Sequence, residues 1–278
     1  MSLFISSLNS GSNGNCYYIG NEEEAILIDA GISCRETEKR LKRLHLSIEK
    51  IKAIFVSHEH SDHITGIVQL AKKYQLPIYI TAGTRTGSRL ILEEHLAVTF
   101  AAYHPVKIGG LTITPFPKFH DACDPHSFIV SSSSVTVGIF TDIGIACDQV
   151  IRYFQQCHAA FLESNYDVDM LNNGRYPYYL KKRISGGKGH LSNAQALALF
   201  LTHRPPFMTH LLLSHLSQNN NCPKLVEELF SQYALKTQIT VASRFEETPV
   251  FQVTALQQQE VPSEQLFRNT KHLQLSLF

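Results

Sequence analysis

Residues 57–63, SHEHSDH, constrain this chain more than any other stretch. They directly follow KAIFV, a short apolar run bounded by polar residues that predicts a buried strand. Imidazole and carboxylate groups are ligands of divalent transition metals. Because the loop leaves a rigid strand, His58 and His60 can face one point while Asp62 and His63 turn toward a second. A single ion does not need four ligands in six residues, so the pattern predicts two neighbouring metal ions rather than a run of surface polar residues.

Two ions need further ligands, which we expect at the ends of other strands. Three residues of a suitable type end apolar runs: His120 after ITPFPKF, Asp142 after VTVGIFT and His215 after THLLLS. His126 competes with His120, since both flank DACDP. We favour His120 because it ends a predicted strand, whereas His126 begins one. Any one of these residues alone is more often a capping or solvated residue, and the SHEHSDH motif makes them candidate ligands.

The order of strand and helix patterns predicts an α/β fold in which two sheets pack face to face with helices outside. Strand patterns include LFISSL, CYYIG, AILIDAG, KAIFVS, LPIYIT, LTITPF, HSFIVSS, SVTVGIFTD, AAFLESN, THLLLSH, QITVAS and PVFQV. Helical spacing occurs in CRETEKRLKRLH, ITGIVQLAKKYQ, NAQALALFLTH and PKLVEELFSQYAL. We assign residues 1–255 to this domain and residues 256–278, which are polar and rich in glutamine, to a flexible C-terminal tail.

Composition limits the classes of partner and location. The net charge is +1, so a nucleic-acid partner must meet a local basic patch rather than a basic protein. The N-terminus has no signal-peptide pattern, and the sequence has no apolar run of about 18 residues, so we expect no membrane partner. The six cysteines are scattered without CxxC pairs, which is typical of reduced thiols in a cytoplasmic protein.

Several stretches resemble the YycJ/WalJ-type family of the metallo-β-lactamase superfamily over residues 1–255. They are SLNSGSNGNCYYIG, ILIDAGIS, FLESN, NGRYPYYLKKRISGGKGHLSNAQA and LSHLSQNNN. The resemblance implies a four-layer αββα sandwich with two divalent metal ions, zinc or manganese, at the sheet edge. It implies one ion on His58, His60 and His120, a second on Asp62, His63 and His215, and Asp142 as the bridge. One position differs: family members often have histidine where this chain has Tyr166.

The segment YLKKRISGGKGHLSNAQA predicts a phosphate site beside the metals. Ser192 and Gln195 form an S-x-x-Q capping box, and the N–H groups at a helix N-terminus attract anions. Glycines 186, 187 and 189 allow close approach to a phosphate, and Lys188 belongs to a local group of cations. An ordinary loop with solvated lysines is the alternative. Residues expected to bind phosphate or substrate are Lys188, Ser192, Asn165, Ser12 and Asn13.

Two residues are candidates for the chemistry. A pair of divalent ions activates water for attack on phosphorus. We expect Asp62 to orient or deprotonate this water and His190 to stabilise the phosphoryl group or act as a general acid. Because the same centre would hydrolyse other esters, the metals alone do not select DNA.

The last five residues, QLSLF, resemble the pentapeptide by which bacterial replication and repair proteins bind the sliding clamp of DNA polymerase III. In this interpretation Leu275, Leu277 and Phe278 enter an apolar groove, and Gln274 fixes the register. The alternative is a terminal strand that folds back on its own core. A flexible tether before the peptide favours the first interpretation.

Together these features predict a dinuclear-metal DNA exonuclease that the clamp recruits for DNA repair, with a 5′ to 3′ direction implied by the resemblance alone. One alternative is a small-molecule or cyclic phosphodiester hydrolase of the same fold, which the clamp-like tail disfavours. Another is a non-catalytic metal-binding or clamp-binding scaffold, which the complete ligand set disfavours.

Overall fold

Two seven-stranded mixed sheets form the centre of the molecule in a computed structural model that describes residues 2–255. The first sheet contains β1 (Leu3–Asn9), β2 (Cys16–Gly20), β3 (Ala25–Ile28), β4 (Ile51–Phe55), β5 (Ile78–Ile80), β6 (Ala97–Thr99) and β14 (Phe251–Val253), in the order β14-β1-β2-β3-β4-β5-β6. The second contains β7 (Val106–Ile108), β8 (Leu111–Pro117), β9 (His126–Ser132), β10 (Val135–Phe140), β11 (Ala159–Glu163), β12 (His210–Ser214) and β13 (Gln238–Val241), in the order β13-β12-β11-β10-β9-β8-β7.

Helices cover the outer face of each sheet. The α-helices of the described chain are α1 (Cys34–Arg43), α2 (Ser61–Ile64), α3 (Ile67–Tyr74), α4 (Ala82–Ser88), α5 (Asp148–Phe154), α6 (Val168–Asn173), α7 (Tyr178–Ser185), α8 (Asn193–His203) and α9 (Pro223–Ser231). Buried side chains of α1 and α3 pack on the first sheet. Those of α5, α8 and α9 pack on the second. The predicted four-layer αββα sandwich is therefore confirmed. Within residues 2–255, every helix is too short or too polar to cross a membrane.

A third apolar cluster fills the space between the sheets. Aromatic side chains from opposite sheets meet there: the ring centroids of Tyr17 and Phe161 lie 4.9 Å apart, and those of Phe55 and Phe128 lie 5.8 Å apart. Each strand thus sends alternate side chains to the centre and to the helices, which explains why many strand patterns are apolar on both faces. This packing fixes the edges of the two sheets relative to each other.

Local sequence signals explain where two of the helices begin. Ser192 caps α8 with its hydroxyl, which accepts a hydrogen bond from the backbone N–H of Gln195, so the predicted capping box is confirmed. The helical pattern predicted in ITGIVQLAKKYQ is confirmed by α3, and the first residue of this stretch, Ile64, ends α2. Gly66 lies between the two helices, where a Cβ atom would be 1.9 Å from the carbonyl oxygen of Ile32. Only glycine fits where these two backbone segments approach so closely.

The two ends of the described chain meet in the first sheet. Strand β14 pairs antiparallel with β1, with Leu3 opposite Val253 and Ile5 opposite Phe251. The predicted clamp-binding residues at 274–278 lie outside the described residues.

Candidate metal centre

Five strands bring the polar side chains of the site to one edge of the sandwich. Residues 57–63 follow β4, Asp29 follows β3, Asp142 follows β10, Glu163 ends β11 and His215 follows β12. Three of these residues, Asp29, Asp142 and His215, have a left-handed backbone with φ of 61°, 55° and 56°. Such conformations are uncommon for residues other than glycine and cluster at functional sites. The chain therefore bends sharply at each of these three strand ends.

His58, His60 and His120 form the first group of candidate ligands. His60 Nδ1 lies 3.1 Å from His58 Nε2 and 3.3 Å from His120 Nε2. Their ligand atoms all lie within 4.8 Å of one another, as three nitrogens around one ion would. The structure thus brings together the three histidines predicted for one ion.

Asp62, His63 and His215 form the second group. Asp62 Oδ2 lies 3.5 Å from His63 Nε2 and 3.4 Å from His215 Nε2. His63 and His215 are buried, whereas the Asp62 side chain keeps 19% of its surface exposed. These three side chains would offer a second ion two nitrogens and one oxygen, of which the oxygen lies on the open side of the site.

Asp142 lies between the two groups. Its Oδ2 is 3.2 Å from His63 Nε2, and its Oδ1 is 3.8 Å from His120 Nε2. The carboxylate is buried, and Oδ2 has no hydrogen-bond partner. A buried carboxylate oxygen without a donor is costly unless a cation binds it. The donor set therefore fits two divalent ions that share this carboxylate.

Hydrogen bonds from Nδ1 to oxygen atoms outside the two ligand groups orient four of the histidine rings. Each Nδ1 donates to an oxygen: His58 to Ser57 Oγ (2.9 Å), His63 to Asp29 Oδ2 (2.7 Å), His120 to the Gly189 carbonyl (3.0 Å) and His215 to Glu163 Oε1 (2.9 Å). With the hydrogen on Nδ1, the lone pair of each Nε2 faces the site. This pattern is characteristic of metal-ligating histidines.

Asp29 and Glu163 are site residues that the sequence analysis did not identify. Glu163 is fully buried, and its Oε1 accepts from Nδ1 of both His190 (2.8 Å) and His215, while Oε2 accepts from the backbone N–H of Ile143 (2.8 Å). Asp29 holds His63 in the same way. A signal was present, since each is an acidic residue directly at the end of an apolar strand, in AILID and AAFLE.

The charges of the centre favour cations. Burial raises the pKa of Glu163, but His190 and His215 outweigh it and hold the value at about 2. Burial lowers the pKa of His215, but Asp142, Asp62 and Glu163 outweigh it and raise the value to about 10. Lys118 is buried close to these carboxylates, and burial lowers its pKa. The centre thus gathers several carboxylates around Lys118 and His215, and divalent ions would supply neutralising charge in place of the proton on His215.

His126 and His120 occupy different environments. His120 lies in the loop after β8, which ends at Pro117, so the expectation that His120 terminates a strand is wrong. The hydrogen bond to Gly189 orients its ring instead. His126 begins β9 and packs against Phe100, and its Nδ1 donates to the Asp124 carbonyl. The structure therefore places His120, and not His126, with the other candidate ligands.

The remaining predicted site residues differ in their access to the centre. His190 and Ser12 line a cleft of about 300 Å³ above the centre. Asn13 is exposed, and its amide donates to the Arg244 carbonyl. The Lys188 side chain is exposed and is not part of the cleft wall.

Two of the predicted substrate residues lie behind the centre. Ser192 is buried, and its hydroxyl caps α8, which leaves it no direct access to the cleft. Asn165 is buried, and its amide donates to the His215 carbonyl at 2.7 Å. Tyr166 is buried, and its backbone carbonyl accepts a hydrogen bond from the backbone N–H of Asn193. These side chains support the site from behind.

Replacing Glu163 by glutamine is expected to weaken metal binding about 10- to 100-fold while the fold is retained. Glutamine has one acceptor oxygen, so it cannot accept from the histidines on one side and from the backbone N–H groups on the other. Titration of metal-free protein with Zn²⁺ or Mn²⁺ by calorimetry measures the change. Glu228→Gln, at an exposed position of α9, is the matched control. Equal affinity in both variants would contradict a positioning role for Glu163.

Comparisons with known proteins agree with this geometry. Residues 24–215 match the model of the beta-lactamase superfamily domain. The chain is 34% identical over 254 residues to exodeoxyribonuclease YycJ of Bacillus anthracis. The aligned region covers 88% of this chain and 94% of that relative. It is 31% identical over 230 residues to exodeoxyribonuclease WalJ of Streptococcus pneumoniae. This alignment covers 79% of this chain and 84% of that relative.

The crystal structure of the metallo-β-lactamase fold protein YhfI from Bacillus subtilis superposes with a TM-score of 0.68 at 18% identity. It covers 91% of this chain and 100% of that chain, and shows that the fold is the same. The family model spans more than half of the sequence, and two relatives exceed 30% identity over most of it. This chain therefore belongs to the metallo-β-lactamase superfamily, as a metal-dependent hydrolase of the YycJ/WalJ type.

Proposed function

We propose that this protein is an exodeoxyribonuclease that uses two divalent ions, Zn²⁺ or Mn²⁺. The observation that carries the proposal is the pair of ligand groups on either side of Asp142 beneath one open cleft. The sequence similarity adds the substrate, because both relatives that match most of the chain are named exodeoxyribonucleases. His/Asp sites bind zinc and manganese alike, so the donor set is compatible with either ion.

When bound, the two ions would activate water and neutralise charge on the phosphoryl oxygens. Asp62 has the exposure needed to orient that water and to accept its proton. His190 lines the cleft, and its Nδ1 is bonded to Glu163. Glu163 fixes the orientation of the His190 ring through Nδ1, and we assign His190 the role of general acid toward the leaving oxygen.

Some of the proposed substrate residues would contact the substrate directly, and others would act through neighbouring groups. Ser12 lines the cleft itself and would contact a phosphate directly, whereas Asn13 follows it in the same loop and would bind the substrate outside the cleft. Lys188 supplies positive charge at the exposed end of the glycine segment. Ser192 and Asn165 would act indirectly, through α8 and through the backbone of His215.

The finer parts of the proposal rest on the sequence. We place the enzyme in the cytoplasm, in DNA repair, with a 5′ to 3′ direction. The QLSLF tail at 274–278 would bind the sliding clamp and bring a nearly neutral enzyme to DNA. Binding of purified clamp to the intact chain, and its loss in a Leu277→Ala/Phe278→Ala variant, tests this part separately from catalysis.

Degradation of linear DNA tests the proposed activity. We expect purified protein with Mn²⁺ to shorten 5′-phosphorylated linear duplex DNA, and the variants Asp62→Ala and His60→Ala to lose this activity. Asp169→Asn, which removes an exposed carboxylate of α6, should retain it. Absence of digestion with manganese, zinc or magnesium, together with turnover of a small phosphodiester, would replace the proposal with a small-molecule phosphodiester hydrolase.

A further inference from the structure

Helix α7, Tyr178–Ser185, contains no buried residue. In contrast, α8 and α9 each bury apolar side chains against the second sheet. Most helices in proteins are stabilised by packing an apolar face, so a short helix without one has little intrinsic stability. The composition is also unusual for this chain: residues 175–188, RYPYYLKKRISGGK, hold five basic residues, three tyrosines and no acidic residue, although the whole protein carries a net charge of only +1.

The C-terminal end of α7 is attached to the metal centre. Arg183 and Ile184 line the cleft, and the Arg183 guanidinium is paired with Asp121. The backbone N–H of His190 donates to the Ile184 carbonyl at 2.8 Å. Gly189, which accepts from Nδ1 of the ligand His120, lies between them in the chain. A molecule lying along α7 would therefore be led to the candidate metal ions.

The N-terminal end of α7 presents aromatic rings to solvent. Tyr178 and Tyr179 are each 74% exposed. Tyr179 precedes Arg183 by four residues, and Tyr178 precedes Lys182 by four, so each pair lies on one face of the helix. The Lys182 Nζ atom lies 5.5 Å from the centre of the Tyr178 ring. Each face thus combines a ring and a cation.

We propose that α7 binds a single strand of DNA and guides it to the metal centre. Bases would stack on Tyr178 and Tyr179, while Lys182 and Arg183 contact phosphates. Aromatic rings beside cations bind single strands without sequence preference, because every base offers a flat face once it is unpaired. This inference rests on the proposed nuclease function and adds the form in which the substrate enters.

The helix also sets the distance of the stacking position from the cleft. Tyr179 lies four residues from Arg183, which is about 6 Å along a helix axis. Stacked nucleotides advance about 3.4 Å each, so the rings would meet bases about two nucleotides from the phosphate that Arg183 contacts. The proposal therefore predicts which bases of a substrate matter.

Fluorescence anisotropy with a short 5′-phosphorylated, 3′-labelled single-stranded oligonucleotide tests the proposal, with Ca²⁺ in place of Mn²⁺ to suppress cleavage. The Tyr178→Ala/Tyr179→Ala variant is expected to bind at least about tenfold more weakly than the wild type. The Phe/Phe variant should bind like the wild type, because stacking needs the ring and not the hydroxyl. With Mn²⁺, both variants should hydrolyse bis(p-nitrophenyl) phosphate at the wild-type rate, since Tyr178 and Tyr179 lie outside the cleft that holds this small ester.

An oligonucleotide with abasic sites at the second and third positions from its 5′ end supplies a coupling test. It should bind the wild type about as weakly as the intact strand binds the Ala/Ala variant, with no further loss in that variant. Tyr233→Ala is the matched control, an exposed tyrosine between α9 and β13. Equal affinity of the Ala/Ala variant and the wild type would overturn the proposal. Binding that depends on the tyrosines, without degradation of DNA, would overturn the nuclease function and leave this site standing.

Discussion

Replacing Asp142 by asparagine is expected to reduce hydrolysis of DNA and of a small phosphodiester on the order of a thousandfold. Asp142 is the residue that both ligand groups approach, and its Oδ2 has no hydrogen-bond donor. The amide of asparagine keeps the shape but removes the negative charge that two cations would share. We expect the metal content, measured by mass spectrometry, to fall from two ions per chain to one or fewer.

The control for this prediction is again Asp169→Asn, which removes a carboxylate on the exposed side of α6. Circular dichroism should show that both variants retain the fold. An Asp142→Asn protein that keeps two ions and at least half of the activity would show that this carboxylate is not shared. The assignment of Asp142 as a shared ligand would then have to be revised before the proposed catalytic roles are tested.

Removing the metals is expected to lower the melting temperature by about 8–16 °C. Two ions that bind only the folded state stabilise it by about 2 kcal/mol each, or about 4 kcal/mol together, when their free concentration is about thirty times the dissociation constant. In a chain of roughly 250 residues, each kcal/mol shifts the melting temperature by about 2–4 °C. The buried carboxylates Asp142 and Glu163 would also lose their neutralising charge. Calorimetry with and without a chelator measures the shift.

The Asp142→Asn variant is the internal control for the chelator experiment. If the stabilisation arises from the two ions, a chelator should shift the melting temperature of this variant by half as much or less. Equal melting temperatures of wild-type protein with and without the chelator would mean that the histidine and carboxylate groups are held by the fold alone. The centre would then be pre-organised without metal.

Six of the seven candidate ligands were predictable from their positions in the sequence, whereas His120 lies three residues beyond the end of its strand. His58, His60, Asp62 and His63 fall within six residues after one strand, and local spacing alone indicates that they converge. Asp142 and His215 directly follow apolar runs that form β10 and β12. Parallel strands leave a sheet at the same edge, so the fold brings these ends together. Sequence and structure therefore agree where the position of a side chain follows from the single strand that precedes it.

The supporting residues could not be predicted in the same way. Glu163 acts because His190, His215 and two backbone N–H groups surround it, and these partners come from distant parts of the chain. Ser192 shows the opposite case: its capping motif was read correctly, but the packing around α8 buries the hydroxyl. Access to the cleft depends on the packing of both sheets, which no short motif encodes.

The pairing of β14 with β1 has a consequence for the folding of this protein during its synthesis on the ribosome. The first strand of the chain acquires its outer neighbour only when residues 251–253 have been made. The ligands, in turn, come from both sheets, and the last of them is His215. A nascent chain that ends before His215 thus has neither a complete first sheet nor a complete set of candidate ligands. Translation itself would delay completion of the first sheet until residue 253 has emerged.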